Sequence, residues 1–346
     1  MRRLVAVVVA LLIPTLVSAA PHRLPDYASK ETLLGWIGVY RHNPDPDRVP
    51  TAVRVMSRLG LLSDPESAGV YVGFLAGVIA SNPGKAEALI ARVFPLSTEH
   101  HWAIVRAVAY SGRPEWQALL RRVADRMPQR RVMIERFLDG KLPTLDQAPI
   151  EKDATWSEQL RAQFTLAKYF GKATPETRLE LTPDLLDTLW GYYYATGSYR
   201  PLARIILMLR WSKERDAIER LTLGSMAKYT LALNSARNAD LLATLQWAAG
   251  QPQPDAVKPV LAEVIEAAET FETGKLRNAA LASIDELRRK GPGTRRDISM
   301  WGQVGEGAIA IGCIAAALAG QVEFGIPCVV GGAATSAALR VWNGQN

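Results

Sequence analysis

The sequence predicts an all-α protein on three observations. Apolar residues recur at helical spacing through most of the 346 residues. Sustained period-two alternation is almost absent, and helix start and stop signals follow one another at short intervals. Among the starts, Ser63-Asp64-Pro65-Glu66 reads as a capping box with proline in the first turn, ahead of Val70, Tyr71, Phe74, Leu75, Val78 and Ile79. Ser97 precedes a run from His101 to Val108, and Thr182-Pro183-Asp184 opens one through Leu185, Leu186, Leu189 and Trp190. Stops fall at Asn82-Pro83-Gly84, Gly112, Gly171, Gly197 and Gly291-Pro292-Gly293.

Four segments share one plan of helix, short polar turn and helix. They are 69–94, turning at Ser81-Asn82-Pro83-Gly84, and 100–125, turning at Ser111-Gly112-Arg113-Pro114. The others are 186–211, turning at Thr196-Gly197-Ser198, and 223–248, turning at Asn234-Ser235-Ala236-Arg237. The first two turns are 30 residues apart and the last two 38, which fits one helical hairpin per unit. In general architecture the pattern resembles the helical-repeat proteins of the tetratricopeptide (TPR) or HEAT kind, although it meets no repeat consensus residue by residue. The resemblance implies hairpins stacked as an irregular α-solenoid. An irregular helical bundle is the alternative that the pattern leaves open. Lys141 to Asp153 carries Pro143 and Pro149 and no helical period. It divides an N-terminal helical half (20–140) from a C-terminal one (154–290).

The chain opens with Met1-Arg2-Arg3, an uncharged run from Leu4 to Ile13, and Pro14-Thr15-Leu16-Val17-Ser18-Ala19-Ala20. This is the three-part pattern of a secretory signal, too short to span a bilayer. Cleavage is expected after Ala19, since cutting after Ala20 places Pro21 beyond the scissile bond. The expected destination is a bacterial periplasm. Losing Arg2 and Arg3 takes the formal charge from +7 to +5, mild for this length, and export argues against a nucleic-acid partner.

The C-terminal forty residues differ from the rest. A basic, helix-breaking stretch from Arg288 to Arg296 forms a hinge, placed at 291–299. Beyond it Gly307 to Val322 and Phe324 to Leu339 carry no charge. We read 300–343 as a Gly/Ala-rich apolar helical hairpin. Each run is about 16 residues, below a membrane span, and the basic hinge would lie on the wrong side for the positive-inside rule. Packing as a cap or within an oligomer is therefore favoured, with membrane contact through Gly307 to Leu339 the alternative. Cys313 and Cys328, the only cysteines, are equidistant from the expected turn, and in an oxidising compartment they are expected to form a disulfide.

The search for chemistry finds no nucleophile elbow, phosphate loop or helical zinc motif. Gly305-Glu306-Gly307-Ala308-Ile309-Ala310 imitates a dinucleotide fingerprint, but no βαβ pattern surrounds it. Glu99-His100-His101 is the single cluster of ligand-type side chains. Adjacent helical residues point about 100° apart, so the two imidazoles do not share one metal. Glu263, Glu266, Glu269 and Glu272 read as a solvated acidic stripe on one helix.

The most informative constellation is aromatic. Trp190, Tyr192, Tyr193, Tyr194 and Tyr199 crowd one helix end and turn, followed by Arg200 and Arg204, with Trp211 and Trp247 in later helices. Tyrosine and arginine are over-represented at binding surfaces, whereas packing between hairpins is the plain explanation for such a cluster. Together these features describe an exported, non-catalytic helical-repeat protein with no cofactor or metal, binding a protein or envelope component, with oligomerisation compatible. A membrane tether through the C-terminal hairpin is the second expectation. An all-helical, carboxylate-dependent hydrolase is the third, to be recognised by a cleft around a carboxyl of raised pKa.

Overall fold

A computed structural model of the chain describes residues 29–145, 179–180, 182–214 and 218–273, with single positions between 275 and 286. The signal, residues 146–153 of the linker, the hinge, the apolar hairpin, Cys313 and Cys328 all lie outside the described residues. Within them the protein is helical, with no strand.

Twelve helices fall within the described residues, seven of them before the linker. These seven are α1 (Lys30–Val39), α2 (Val49–Arg58), α3 (Gly69–Ser81), α4 (Ala86–Val93), α5 (His101–Tyr110), α6 (Trp116–Val123) and α7 (Arg131–Leu138). Five follow it: α8 (Pro183–Thr196), α9 (Tyr199–Met208), α10 (Ile218–Arg237), α11 (Ala239–Ala249) and α12 (Lys258–Glu269). The helices of the first half alternate between two rows. In one row α2 contacts α4 and α4 contacts α6, while in the other α3 contacts α5 and α5 contacts α7.

The centre of the fold is α3. It carries no charge, and eleven of its thirteen residues, from Gly69 to Ile79, are buried. A helix that is apolar on every side belongs inside a protein, because no face of it gains from water. Its glycines, Gly69, Gly73 and Gly77, recur every four residues and so form one stripe down the helix. Onto that stripe packs α8, in the most extensive helix–helix contact of the molecule. A Cβ on Gly73 would lie 1.9 Å from the Thr188 carbonyl oxygen, and one on Gly191 2.1 Å from that of Val70. Only glycine permits backbones this close. The second pile follows from α8, with α9 against α8, α10 against α9, and α11 and α12 against α10. One buried apolar cluster runs from Leu33 to Ala267, so the two helical halves share a core.

Two start and stop signals are displaced from their expected places. Ser63 to Glu66 does not cap α3, which begins at Gly69 behind Ala68 with no side-chain cap. There the Asp64 carboxylate accepts from the Glu66 N–H, and the Asp64 carbonyl from the Ser67 N–H, making a self-contained turn. The turn expected at Asn234 to Arg237 is the last turn of α10, and the break comes at Asn238, whose side chain caps α11 through the Leu241 N–H. Asn234 and Ser235 are buried, and Asn234 accepts from the Tyr194 hydroxyl at 3.1 Å. A tertiary partner thus holds in a helix a pair of residues that alone favour a turn. By contrast Thr182 caps α8 through the Leu185 N–H, and Gly197 closes it at φ 64°.

Candidate functional site

The aromatic constellation is mostly core. Trp190, Tyr193 and Tyr194 are 0, 4 and 4 % exposed. Trp190 stacks on Tyr194 at 5.7 Å, and its indole N–H donates to Thr230 on α10 at 3.1 Å. Tyr192 is half-buried and donates its hydroxyl to the Ser111 carbonyl at 3.0 Å, while the Arg41 guanidinium lies 4.9 Å over the Tyr193 ring. One turn of α8 therefore ties together the end of α5, the 3₁₀ turn after α1, and α10. Arg200 is half-buried, and Arg204 donates to the Leu145 carbonyl, anchoring the start of the linker. Trp211 is buried. Tyr199 and Trp247 alone form a surface aromatic pair, edge to face at 5.1 Å with Trp247 48 % exposed.

The histidine pair separates as its geometry requires. His100 is buried between two hydroxyls, with Ser57 2.7 Å from Nδ1 and Ser63 3.1 Å from Nε2. The ring of His101 turns the other way, onto Phe94 and the Leu96 carbonyl at 3.1 Å, leaving Nδ1 buried without a hydrogen-bond partner. Burial lowers its pKa, and the positive charge of Arg130 adds to this, against the pull of the Leu96 carbonyl. No three His, Cys, Asp or Glu side chains converge on a metal position among the described residues. The acidic stripe of α12 is only partly solvated. Burial would raise the Glu263 carboxyl, but Lys228 and Lys213 both donate to it and hold it below its usual range.

A concave site lies elsewhere, in a cleft of about 450 Å³ bounded by α5, α7, the chain after α7 and the first turns of α8. Its apolar lining includes Met133, Phe137, Leu142, Leu179 and Leu185. Glu66, Glu180 and Asp184 supply carboxylates, and Arg106 is the one cation among the described lining residues. That guanidinium is already engaged. It donates to the Pro65 carbonyl at 3.3 Å, lies 4.8 Å over Trp102, and approaches the Asp184 carboxylate at 3.6 Å. Among the described lining residues the excess charge is negative.

The chain matches no known family, no curated protein and no solved structure.

Asp184 is the electrostatically unusual group of the cleft. Burial pushes its carboxyl up to about 6; Asp64 and Glu66 add to the rise, and Arg106 and the Gly69 N–H oppose it. Its Oδ1 has no hydrogen-bond partner. Above it, Tyr110 is pushed up by burial, with Arg106 and Arg204 pulling against Asp184 and Glu180. The cleft can therefore take an apolar group against α7, hold a cation at its acidic rim, and exchange a proton near neutral pH. None of the seven aromatic and arginine residues singled out from sequence lines it, and Arg204 only borders it. The sequence marks Asp184 solely as an acid in a helix first turn, a placement the helix dipole explains without any site.

Proposed function

We propose that this chain is an exported, non-catalytic helical-repeat protein that binds a protein or envelope partner, with the cleft between α5, α7 and α8 as its recognition groove. The cleft carries the reading, since a few polar groups on an apolar concave wall are what a binding site requires. The two alternating rows, α2–α4–α6 and α3–α5–α7, support a solenoid-like stacking of hairpins. Export rests on residues 1–19, and the proposed Cys313–Cys328 disulfide belongs to the same oxidising compartment. The Tyr199–Trp247 pair offers a smaller second contact surface. Among the described residues no helix is long and apolar enough to cross a membrane.

The test is site-specific photo-crosslinking in the native host, with a benzophenone side chain at Leu142 inside the cleft or at Val39, which is exposed and remote from the lining. A discrete adduct from Leu142 that Val39 does not give is the expected result. No adduct, or the same adducts from both positions, refutes the groove.

A second reading, a carboxylate-dependent hydrolase, draws on the proton-holding Asp184 beside Glu66 and Glu180 in the same cleft. Asp184 would act as general acid and one of the glutamates as base, on an envelope glycan. Reducing ends released from cell-wall glycan by the wild type and abolished in Asp184→Asn would establish it; no release by the wild type rejects it.

A further inference from the structure

The row of α2, α4 and α6 carries a charge pattern that the cleft does not use. Residues 46–58, 85–93 and 115–126 hold eight arginines and lysines against four aspartates and glutamates. Three contacts set these helices side by side, two of them at the C-terminal end of α4 and one at its first turn. Arg54 on α2 donates to the Arg92 carbonyl on α4, Arg122 on α6 pairs with Glu87 on α4 at 2.7 Å, and Arg126 lies 6.0 Å over Phe94.

Most of the acids on this row are already taken. Asp47 pairs with Arg92 at 2.6 Å, Glu87 with Arg122, and Glu115 with Arg113 at 3.6 Å. Arg58, Arg121 and Arg126 are exposed, and among the described residues no ion pair engages them. Cations at helix C-termini also complement the helix dipole, but that effect fades within the last turn and asks for one charge per helix. Arg121, Arg122 and Arg126 together exceed it. The later helices have the opposite balance. Residues 182–214 and 218–273 hold eight cations and ten anions, so within the described residues the positive excess lies in the first half, where the α2–α4–α6 row carries a net four positive charges.

We propose that this arginine face docks on an anionic phospholipid surface, the guanidinium groups engaging lipid phosphates. Arginine suits the task because its planar donor fork matches phosphate geometry. Leu59, 38 % exposed beside Arg58, adds an apolar side chain at the same edge. Lipid is favoured over single-stranded nucleic acid because binding of the latter uses aromatic stacking platforms. Among the described residues the large aromatics that are exposed, Trp247 and Phe271, lie on or after α11 and α12 instead. The contact is peripheral and holds the helical body by one face, independently of the cleft.

The experiment is co-flotation of the full chain with vesicles of phosphatidylglycerol and phosphatidylcholine, against vesicles of phosphatidylcholine alone. The neutral vesicles measure any attachment through apolar segments, and the difference between the two reads the arginine face. The face variant is Arg58→Gln, Arg121→Gln and Arg126→Gln combined. A control variant, Arg220→Gln, Lys258→Gln and Lys275→Gln, removes the same charge from the later helices. Near-UV circular dichroism verifies that both fold. The expected result is binding to anionic vesicles that weakens with salt, falls about a hundredfold in the face variant, and changes by less than about threefold in the control. Equal binding to both vesicle types, or equal losses in the two variants, overturns the proposal. Tighter binding to heparin or to single-stranded DNA than to the vesicles, with the same sensitivity to the face variant, also overturns it and assigns the face to another polyanion.

Discussion

Replacing Gly73 by alanine tests the centre of the fold. The added Cβ would meet the Thr188 carbonyl oxygen at 1.9 Å, whereas real Cβ contacts essentially never fall below 3.0 Å. Taking one from the other, α3 and α8 must separate locally by about 1.1 Å. The obstacle is backbone, so no side chain can rotate away. Two terms oppose each other. Alanine favours a helix over glycine by about 1 kcal/mol. Overpacking a filled interior costs about 1–3 kcal/mol or more, and separation also loosens the contacts at Gly69, Gly77 and Gly191 along the same stripe. The two terms net to a loss of about 0–2 kcal/mol and the loosened contacts add to it, so the expectation is a loss of about 1–3 kcal/mol, a large share of the 5–15 kcal/mol typical of a folded domain. Gly84→Ala is the matched control, because nothing lies within 4 Å of its Cβ position. Urea denaturation followed by tryptophan fluorescence measures both, and Gly84→Ala should change stability by no more than about 0.5 kcal/mol. If Gly73→Ala leaves stability within that same margin, or raises it, the close α3–α8 contact is wrong.

Other predictions concern the titratable and buried polar groups. Asp184, 16 % exposed, has a folded pKa of about 6 against 3.8 for the free side chain, so the fold favours its protonated form. Its effect on stability is best at low pH and worsens as pH rises from about 4 through 6, by roughly 2–3 kcal/mol. Asp184→Asn should therefore gain on the wild type between pH 4.5 and 7.5 in paired urea titrations; a constant difference contradicts the assignment. His101 has the opposite slope. Its pKa is lowered in the fold, so the unfolded chain takes up the proton first and stability falls as pH drops below about 6.5. His101→Gln should flatten that limb, and an unchanged pH profile would count against a buried neutral imidazole. Tyr194→Phe should cost about 1–3 kcal/mol by leaving the buried Asn234 carbonyl without this donor. A double-mutant cycle with Asn234→Leu should return a coupling near 1 kcal/mol, and zero coupling would deny the hydrogen bond.

The all-α class, the hairpins 69–94 and 100–125 and the Thr182 and Gly197 boundaries were legible because they depend on local causes: periodicity, capping and the left-handed freedom of glycine. Of the two misplaced boundaries, Ser63 to Glu66 is a local turn that imitates a cap, and the other has a distant cause. Asn234 and Ser235 read as a turn until Tyr194, forty residues away, supplies the partner that keeps them helical. The aromatic cluster reads from sequence either as a binding surface or as packing between hairpins, because which rings face water depends on α10 and on Arg41, and a single helix does not specify them. The stripe of Gly69, Gly73 and Gly77 has spacing four in the sequence but carries no signal there, since three glycines in a helix lower its intrinsic propensity and acquire a purpose only when α8 arrives. The cleft had no sequence signal. Its lining comes from five separate stretches, and none of them repeats or alternates in a way that marks concavity.

The stripe and the cleft are physically linked, because both belong to α8. Its first turn supplies Asp184 and Leu185 to the cleft, and its middle, from Thr188 to Ala195, lies in the grooves left by the α3 glycines. Thr188 does both, lining the cleft while its hydroxyl donates to the Asp184 carbonyl at 2.8 Å and its own carbonyl faces Gly73. A helix held backbone to backbone has little freedom to slide, so the carboxyl of Asp184 is positioned by contacts made a turn further along. The desolvation that raises its pKa follows from that same close approach, with the Gly69 backbone beside the carboxyl. Moving α8 away from α3 by about 1 Å, as Gly73→Ala requires, should therefore admit water and lower the Asp184 pKa towards its ordinary value. In the Gly73→Ala background, the stability gain of Asp184→Asn between pH 4.5 and 7.5 should shrink. A gain that stays whole would mean that the cleft and the glycine stripe are independent, and that the carboxyl is desolvated by something other than the packing of these two helices.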